Sequence, residues 1–445
     1  MPSFLAPNDQ SFGARVSRFA TAFRPLRHRN YQLWFFGQGL SLVGTWMQSM
    51  AQQVLVYRLT GSASALGIVS FMTVLPLIPC ALWGGSISDR FPKRTVLLAT
   101  QTLMMVQAFL LASLTWSGTI KIWHIYLMSF MLGALKAFDM PARQSFIVEM
   151  VGGKEDLTSA IGLNSAIHNS AKTLGPALAG VAIAALGEAV AFFINGISFL
   201  AVILSLLAMR NLPRISKEQL NGTSIVVHTV EGIRYVLGQQ TLLILMSLVA
   251  ISSFLSKPYQ TLMPVFANLM LENDTQPIVA FFCSGTQPLL ECQTPEAIPL
   301  GLLLSSVGTG ALMGALIAAS LPKGAKRGRW LTIGNLSFPF LLLIFVVSRS
   351  VAVSMFVMVL VGVSHVLQNA MANTLLQITS PDQLRGRVMS QYALVTQGMT
   401  HVGGLQAGFV ADWIGAPLSV GIGASVSLLY GLFIALRYTK VRNLG

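Results

Sequence analysis

Long apolar runs recur along the chain at a spacing that suits a bilayer. A hydrocarbon core about 30 Å thick takes roughly 20 apolar helical residues. Twelve such runs are read at 31–56, 64–88, 95–116, 122–146, 159–186, 189–209, 241–269, 300–321, 330–348, 351–377, 384–411 and 416–437. They predict an all-α polytopic membrane protein of twelve transmembrane helices, built as two six-helix halves. The divisions are a basic N-terminal segment (1–30), a first half (31–209), a polar linker (210–240), a second half (241–437) and a tail (438–445). Residues 1–30 hold no apolar core of a secretory signal. Phe12, Val16, Phe19, Phe23 and Leu26 recur there at helical spacing, with Arg15 and Arg18 between them. That pattern fits either a helix on an anionic membrane surface or a loosely ordered basic tail.

Polar positions inside four spans fall in stripes. The first carries Gln38, Ser41, Thr45, Gln48 and Gln52, and the tenth His365, Asn369, Asn373 and Gln377 at one-turn steps. The fourth carries Lys136, Asp139 and Arg143, and the seventh Ser252, Ser253, Ser256, Lys257 and Gln260. Polar stripes face protein or water, not lipid. Together they point to a central cavity lined by Gln38, Gln48, Gln52, Lys257, His365, Asn369 and Asn373. Asp139 is the one acid well inside a span, with Lys136 and Arg143 on its face of the helix. It either carries a coupling proton or serves as an ion-pair partner of Arg143. The fifth span stacks Asn164, His168 and Lys172, which makes His168 a second titratable candidate.

Composition narrows the class. Of 445 residues, 53% are hydrophobic and 10% charged, against about 25% charged in globular proteins. An ordinary soluble enzyme and a disordered chain are excluded, and three cysteines are too few for a disulfide scaffold. A net charge of +14 raises the question of nucleic acid. With both termini inside, however, 23 of the 29 Lys and Arg residues fall on that side, 3 outside and 3 within spans. This asymmetry places the N- and C-termini in the cytoplasm and leaves no need for a nucleic-acid partner. Cys283 and Cys292 share the outside loop 270–299, where they either form a disulfide or stay free thiols. The six histidines are widely separated and no P-loop signature occurs. No metal site, cofactor, ATP drive or enzyme activity is expected.

The halves repeat. Phe91-Pro92-Lys93 follows the second span and Leu321-Pro322-Lys323 the eighth, an offset of 230; Val151–Leu157 and Ile378–Leu384 enter the fifth and eleventh at an offset of 227. Two nearly equal offsets indicate a parallel duplication. The second of these reads as a helix start, with Ser380 as N-cap, Pro381 at the first position and Gln383 closing a capping box.

Three motifs then carry a resemblance. Gly85-Ser86-Ile87-Ser88-Asp89-Arg90-Phe91-Pro92-Lys93-Arg94 resembles the loop between helices two and three of the major facilitator superfamily, with Pro92 where the family usually has Gly. Gly162, Ala171, Gly175-Pro176 and Ala179-Gly180 resemble its antiporter motif, and Gly310, Gly314 and Ala318 of the eighth span offer a matching small face. Asp139-Met140-Pro141-Ala142-Arg143-Gln144-Ser145-Phe146 is similar to the branch with macrolide efflux proteins and enterobactin exporters. The resemblance implies that Asp89 meets a basic residue and the N-terminus of helix eleven, latching the cytoplasmic side. It implies a cavity lined by helices one, four, seven and ten. It also implies a monomeric transporter of the bacterial inner membrane, exporting amphipathic small molecules against protons by alternating access. An uptake symporter for a polar nutrient is the alternative, sustained by Lys257. A membrane-embedded enzyme is the rival from another class.

Overall fold

The computed structural model describes residues 23–77, 80, 91–151, 154–210, 233–271, 279, 283, 292–322 and 324–444. Its first half runs α1 (Arg29–Thr60), α2 (Ala63–Val74), α3 (Lys93–Trp116), α4 (Ile122–Met150), α5 (Lys154–Leu186) and α6 (Glu188–Ala208). In the second half α7 opens as Gln240–Ile251. It continues through a π turn (Ser252–Ser256), a 3-10 turn (Lys257–Gln260) and a last helical piece (Met263–Leu271). Then come α8 (Ala297–Ser320), α9 (Arg327–Val347), α10 (Val351–Thr379), α11 (Asp382–Ile414) and α12 (Ala416–Arg437), with no strand among the described residues. Eleven of the expected spans fall on these elements; the second, 64–88, does so over α2, and its residues 78–79 and 81–88 lie outside the described residues. The segment before Phe23 and most of the linker, 211–232, lie outside the described residues.

Composition separates two kinds of helix. α3, α6, α8, α9, α10, α12 and α7 from Gln240 to Gln260 are long and apolar enough to cross a bilayer by themselves. α1, α4, α5 and α11 are not, because polar and charged side chains dilute them. Such helices enter a membrane only where neighbours cover their polar face. Local chemistry sets the joints. Gly61 ends α1 at φ 61°, a left-handed conformation that glycine adopts without strain. Ser62 then caps α2 by accepting from the Ala65 N–H. The joint between α10 and α11 differs from expectation. Pro381 occupies the cap position, and the Ser380 hydroxyl donates back to the Leu376 carbonyl at 2.6 Å. That hydroxyl adds a second bond to a carbonyl that already accepts the Ser380 N–H at 3.1 Å, so it closes α10 instead of starting α11.

The two ends of the bundle differ. At the terminal end, where the described chain begins and finishes, Asn30 bonds to Arg210 and Lys93 pairs with Glu149 at 2.5 Å. Arg24 and His28 both meet Asp156 there, and the Gly328 N–H donates to Leu444. At the opposite, distal end Arg58 forks onto buried Glu188 at 2.8 and 3.0 Å, tying α1 to α6.

The halves meet through α5 against α8 and α2 against α11. Added Cβ atoms show how closely. One at Gly308 would lie 2.7 Å from Thr173 Cα, one at Gly301 2.7 Å from the Pro176 carbonyl, and one at Gly180 3.1 Å from the Ala297 carbonyl. On the other side, Gly67 would meet the Gly404 carbonyl at 2.7 Å and Gly408 the Ala63 carbonyl at 2.6 Å. Toward the terminal end these contacts stop. Gly162 is about five full turns before Gly180, and Gly386 about five before Gly404, so each pair shares a face. Yet a Cβ at Gly162 or Gly386 would meet nothing within 4 Å. The described bundle is therefore closed from its middle to the distal end and parted toward the termini. The small face expected on α8 is corrected by the same contacts. Gly310 and Gly314 pack on Val359 and Val363 of α10, while Gly301 and Gly308 meet α5. Positions 308 and 310 point about 200° apart on a helix, so they cannot serve one neighbour.

Candidate functional site

Asp139 sits about 25 Å along α4, near the middle of the bundle. It is 3% exposed, and both its oxygens are used. One accepts from Thr100 Oγ1 (3.0 Å) and Gln101 Nε2 (2.8 Å) of α3; the other accepts from Arg143 at 2.5 Å. The Arg143 guanidinium lies 6.0 Å from the Trp34 ring, which is itself buried. This is the geometry of an acceptor-only carboxylate spent inside the first half. Lys136, one turn away, takes no part in it.

α5 brings a second group. Lys172 Nζ lies 5.8 Å from the Trp46 ring centroid on α1, a cation–π distance. Gly175 admits that ring, since a Cβ there would fall 2.4 Å from Trp46 Cβ. Pro176 and Gly180 take the α8 contact. One turn before Lys172, His168 is half-exposed and has no hydrogen-bond partner among the described residues.

Across the gap, Lys257 stands where the π turn of α7 passes into the 3-10 turn. Such irregular turns re-aim side chains and recur at functional sites. Lys257 and Lys172 are within electrostatic reach of each other, and His365 of α10 is within reach of both. His365 bonds to Asn369 at 2.8 Å and stacks 5.1 Å from Phe338. The Asn369 carbonyl receives Tyr392 Oη at 3.2 Å, and Asn373 binds Gln377 at 2.5 Å.

The first-span glutamines do not join this group. Gln38, Gln48 and Gln52 are all buried. Gln48 bonds with Gln107 of α3 and Asn195 of α6, and Gln52 donates to Ser129 of α4 at 2.6 Å. Gln48 and Gln52 bond within the first half, which corrects the expected cavity lining at those two positions, while Gln38 is buried with its Oε1 unpartnered among the described residues. Of the loop motif, Gly85, Asp89 and Arg90 lie outside the described residues. Lys93 pairs with Glu149, and Arg94 donates to the Leu207 carbonyl at 3.0 Å. Cys283 and Cys292 are joined as a disulfide, with Cα atoms 5.3 Å apart. No group of three or more potential metal ligands occurs among the described residues.

The two halves also bond directly at the distal end. The Asp412 carboxylate, on the last turn of α11, accepts from the Ala63 N–H (2.7 Å), the Ser64 N–H (3.1 Å) and Ser62 Oγ (2.8 Å). It therefore caps the N-terminus of α2, where the helix dipole favours an anion. Deeper in, Ser70 of α2 meets His401 Nδ1 of α11 at 2.7 Å.

The bundle shares its fold with solved transporters. The nucleoside transporter NupG aligns with a TM-score of 0.69 at 13% identity, covering 93% of this chain and 99% of that one, a likeness of fold. A family profile described as transmembrane secretion effector matches residues 20–282 and 287–444. The chain belongs to that family of the major facilitator superfamily. Among secretion-effector relatives, the staphyloferrin A transporter of Staphylococcus aureus (strain NCTC 8325 / PS 47) is 25% identical over 86% of this chain and 90% of its own. The multidrug efflux pump Tap of Mycobacterium tuberculosis (strain ATCC 25618 / H37Rv) is 25% identical over 92% and 91%. This secretion-effector chain is a multi-pass secondary transporter.

Lys257, His365 and Asn369, named from separate spans, come near one another in the fold, and Asp139 with Arg143 forms one pair. Sequence reasoning missed Trp46, Lys172 as a neighbour of Lys257, and Asp412. For Lys172 the signal was available, as a cation in mid-span. For Asp412 none was, because its partners lie about 350 residues away in the chain.

Proposed function

We propose that this transporter exports amphipathic small molecules of the drug, macrolide or siderophore type across the bacterial inner membrane by alternating access. The observation that carries the reading is the geometry of the halves. They are packed from the middle of the bundle to the distal end and parted toward the termini, around Lys172, Lys257 and His365. A substrate reaching that group from the terminal side leaves distally once the parted end closes and the packed end opens. The excess of Lys and Arg at the terminal end supports a cytoplasmic location for both termini, which makes the direction outward. The roles of the relatives, staphyloferrin A transport and multidrug efflux, support a small-molecule cargo. The chain is taken to act as a monomer in the bilayer, without nucleic acid.

Inward proton flow supplies the drive in this reading. The coupling group must be free to gain and lose a proton. Asp139 accepts three hydrogen bonds, one from a guanidinium, so it is assigned to positioning Arg143. His168 has no hydrogen-bond partner among the described residues and lies within electrostatic reach of Arg143; it is assigned the proton. Asp89 of the loop motif keeps the role of a terminal-side latch. The test uses inside-out vesicles acidified within and screened with amphipathic probes. Accumulation that collapses with a protonophore is expected, and His168→Gln should retain downhill movement but lose accumulation. Accumulation indifferent to the protonophore, or confined to right-side-out vesicles, overturns the reading.

A further inference from the structure

Three lysines lie inside the spans, Lys136, Lys172 and Lys257, and none belongs to an ion pair among the described residues. Most acids among the described residues are engaged elsewhere. Asp139 holds Arg143, Glu149 holds Lys93, Asp156 meets Arg24 and His28, Glu188 holds Arg58, and Asp412 caps α2. A membrane-buried cation normally pairs with an anion or faces water, because hydrocarbon cannot solvate it. Lys172 and Lys257 keep part of their surface open, one on each half, within electrostatic reach of one another. Two like charges placed across a gap repel, and an anion between them removes the repulsion.

We propose that the substrate is an amphipathic organic anion, whose carboxylate or comparable acidic group sits between Lys172 of α5 and Lys257 of α7 with its apolar body against Trp46. The proposal rests on the export reading for calling this ligand a substrate. The site is built from both halves, so the anion bridges them. By discharging the repulsion it draws the parted ends together, which links binding to the step that closes the terminal side. Lysines suit this use, as compact charges on flexible stems that follow a moving partner. Trp46 offers a flat apolar face beside the charge.

Calorimetric titration of the purified full chain in detergent tests this with three matched probes: 2-naphthoate, 2-naphthylmethylammonium and 2-naphthylmethanol. Naphthoate is expected to bind at least about tenfold more tightly than either isostere, the size of one charge-assisted contact. Lys172→Gln and Lys257→Gln should each weaken it about fivefold or more, and Lys257→Arg should restore most of the loss. No naphthoate binding, equal binding of the ammonium or alcohol, or unchanged binding in the double Gln variant overturns the proposal. Should the Gln variants fail to fold, the ranking of the three probes on the unaltered chain decides. The vesicle experiment is independent. Lysine-dependent naphthoate binding without gradient-driven accumulation of any probe rejects export and keeps the anion site. Accumulation of cationic probes without naphthoate binding does the reverse.

Discussion

Replacing Asp412 by alanine removes the three hydrogen bonds through which α11 caps the N-terminus of α2. Hydrogen bonds to a charged acceptor contribute about 1.5 kcal/mol each at the lower end of their range. The carboxylate stands at an open edge, so solvent competition reduces the total to about 2 kcal/mol. The loss falls on the distally closed state alone. The equilibrium should therefore move about 30-fold toward distal opening. Asp412→Asn keeps one acceptor and should move it less. Spin labels on cysteines replacing Leu59 and Leu418, in a Cys80→Ser background, report the distal gap. A longer-distance component should grow in the alanine variant and grow less in the asparagine variant. An unchanged distance distribution in Asp412→Ala would refute the reasoning. Acidity gives a second handle. Withdrawal from water raises the Asp412 carboxyl and is the largest single effect. The Ser64 and Ser62 side chains and the Ala63 and Ser64 N–H groups together outweigh it and hold the carboxyl below the ordinary carboxylate range. A depressed acid contributes its stabilisation above the pKa of the unlatched carboxyl and loses it as pH falls through the latched value. The gap should stay constant through neutral and mildly acidic pH and widen only in stronger acid.

Other substitutions probe separate parts of the structure. Asp139→Asn leaves Arg143 without its anion and should cost about 3 kcal/mol, read as a lower melting temperature in detergent; an unchanged melting temperature would deny the structural role. Gly67→Val should destabilise the closed distal state by about 1–3 kcal/mol through overpacking, while Gly162→Ala, where a Cβ meets nothing in this state, should not lower the melting temperature. Reducing the disulfide between Cys283 and Cys292 should lower stability by about 2.5 kcal/mol on the loop-entropy estimate for a ten-residue loop, and mass mapping of the unreduced chain should recover the linked peptide.

What the sequence made legible follows from what each signal depends on. A transmembrane span is a local property, so a run such as 416–437 could be read to the residue against α12. The break in α7 was less legible, since Ser252, Ser253 and Ser256 read as one more polar stripe while the backbone shifts to π and 3-10 turns there. A glutamine stripe looks the same whether its partner is water or another helix. Gln48 and Gln52 find theirs on α3, α4 and α6, far away in the chain. Asp139 and Arg143 were readable as a pair because one turn separates them, whereas Thr100 and Gln101, which complete the site, arrive from α3. The juxtaposition of Lys172 and Lys257 belongs to the packing of two halves, and no local pattern encodes it.

The central claim is that one mid-membrane site opens to the terminal side while the distal side is shut. Lys257→Cys, in the Cys80→Ser background, places a thiol in that site. A membrane-impermeant methanethiosulfonate should label it at least about tenfold faster in inside-out vesicles than in right-side-out vesicles, as a site open to one face requires. Adding Asp412→Ala should bring labelling to the right-side-out vesicles. Equal rates from both faces in the unlatched and latched proteins alike, or faster labelling from the distal side, would contradict the account.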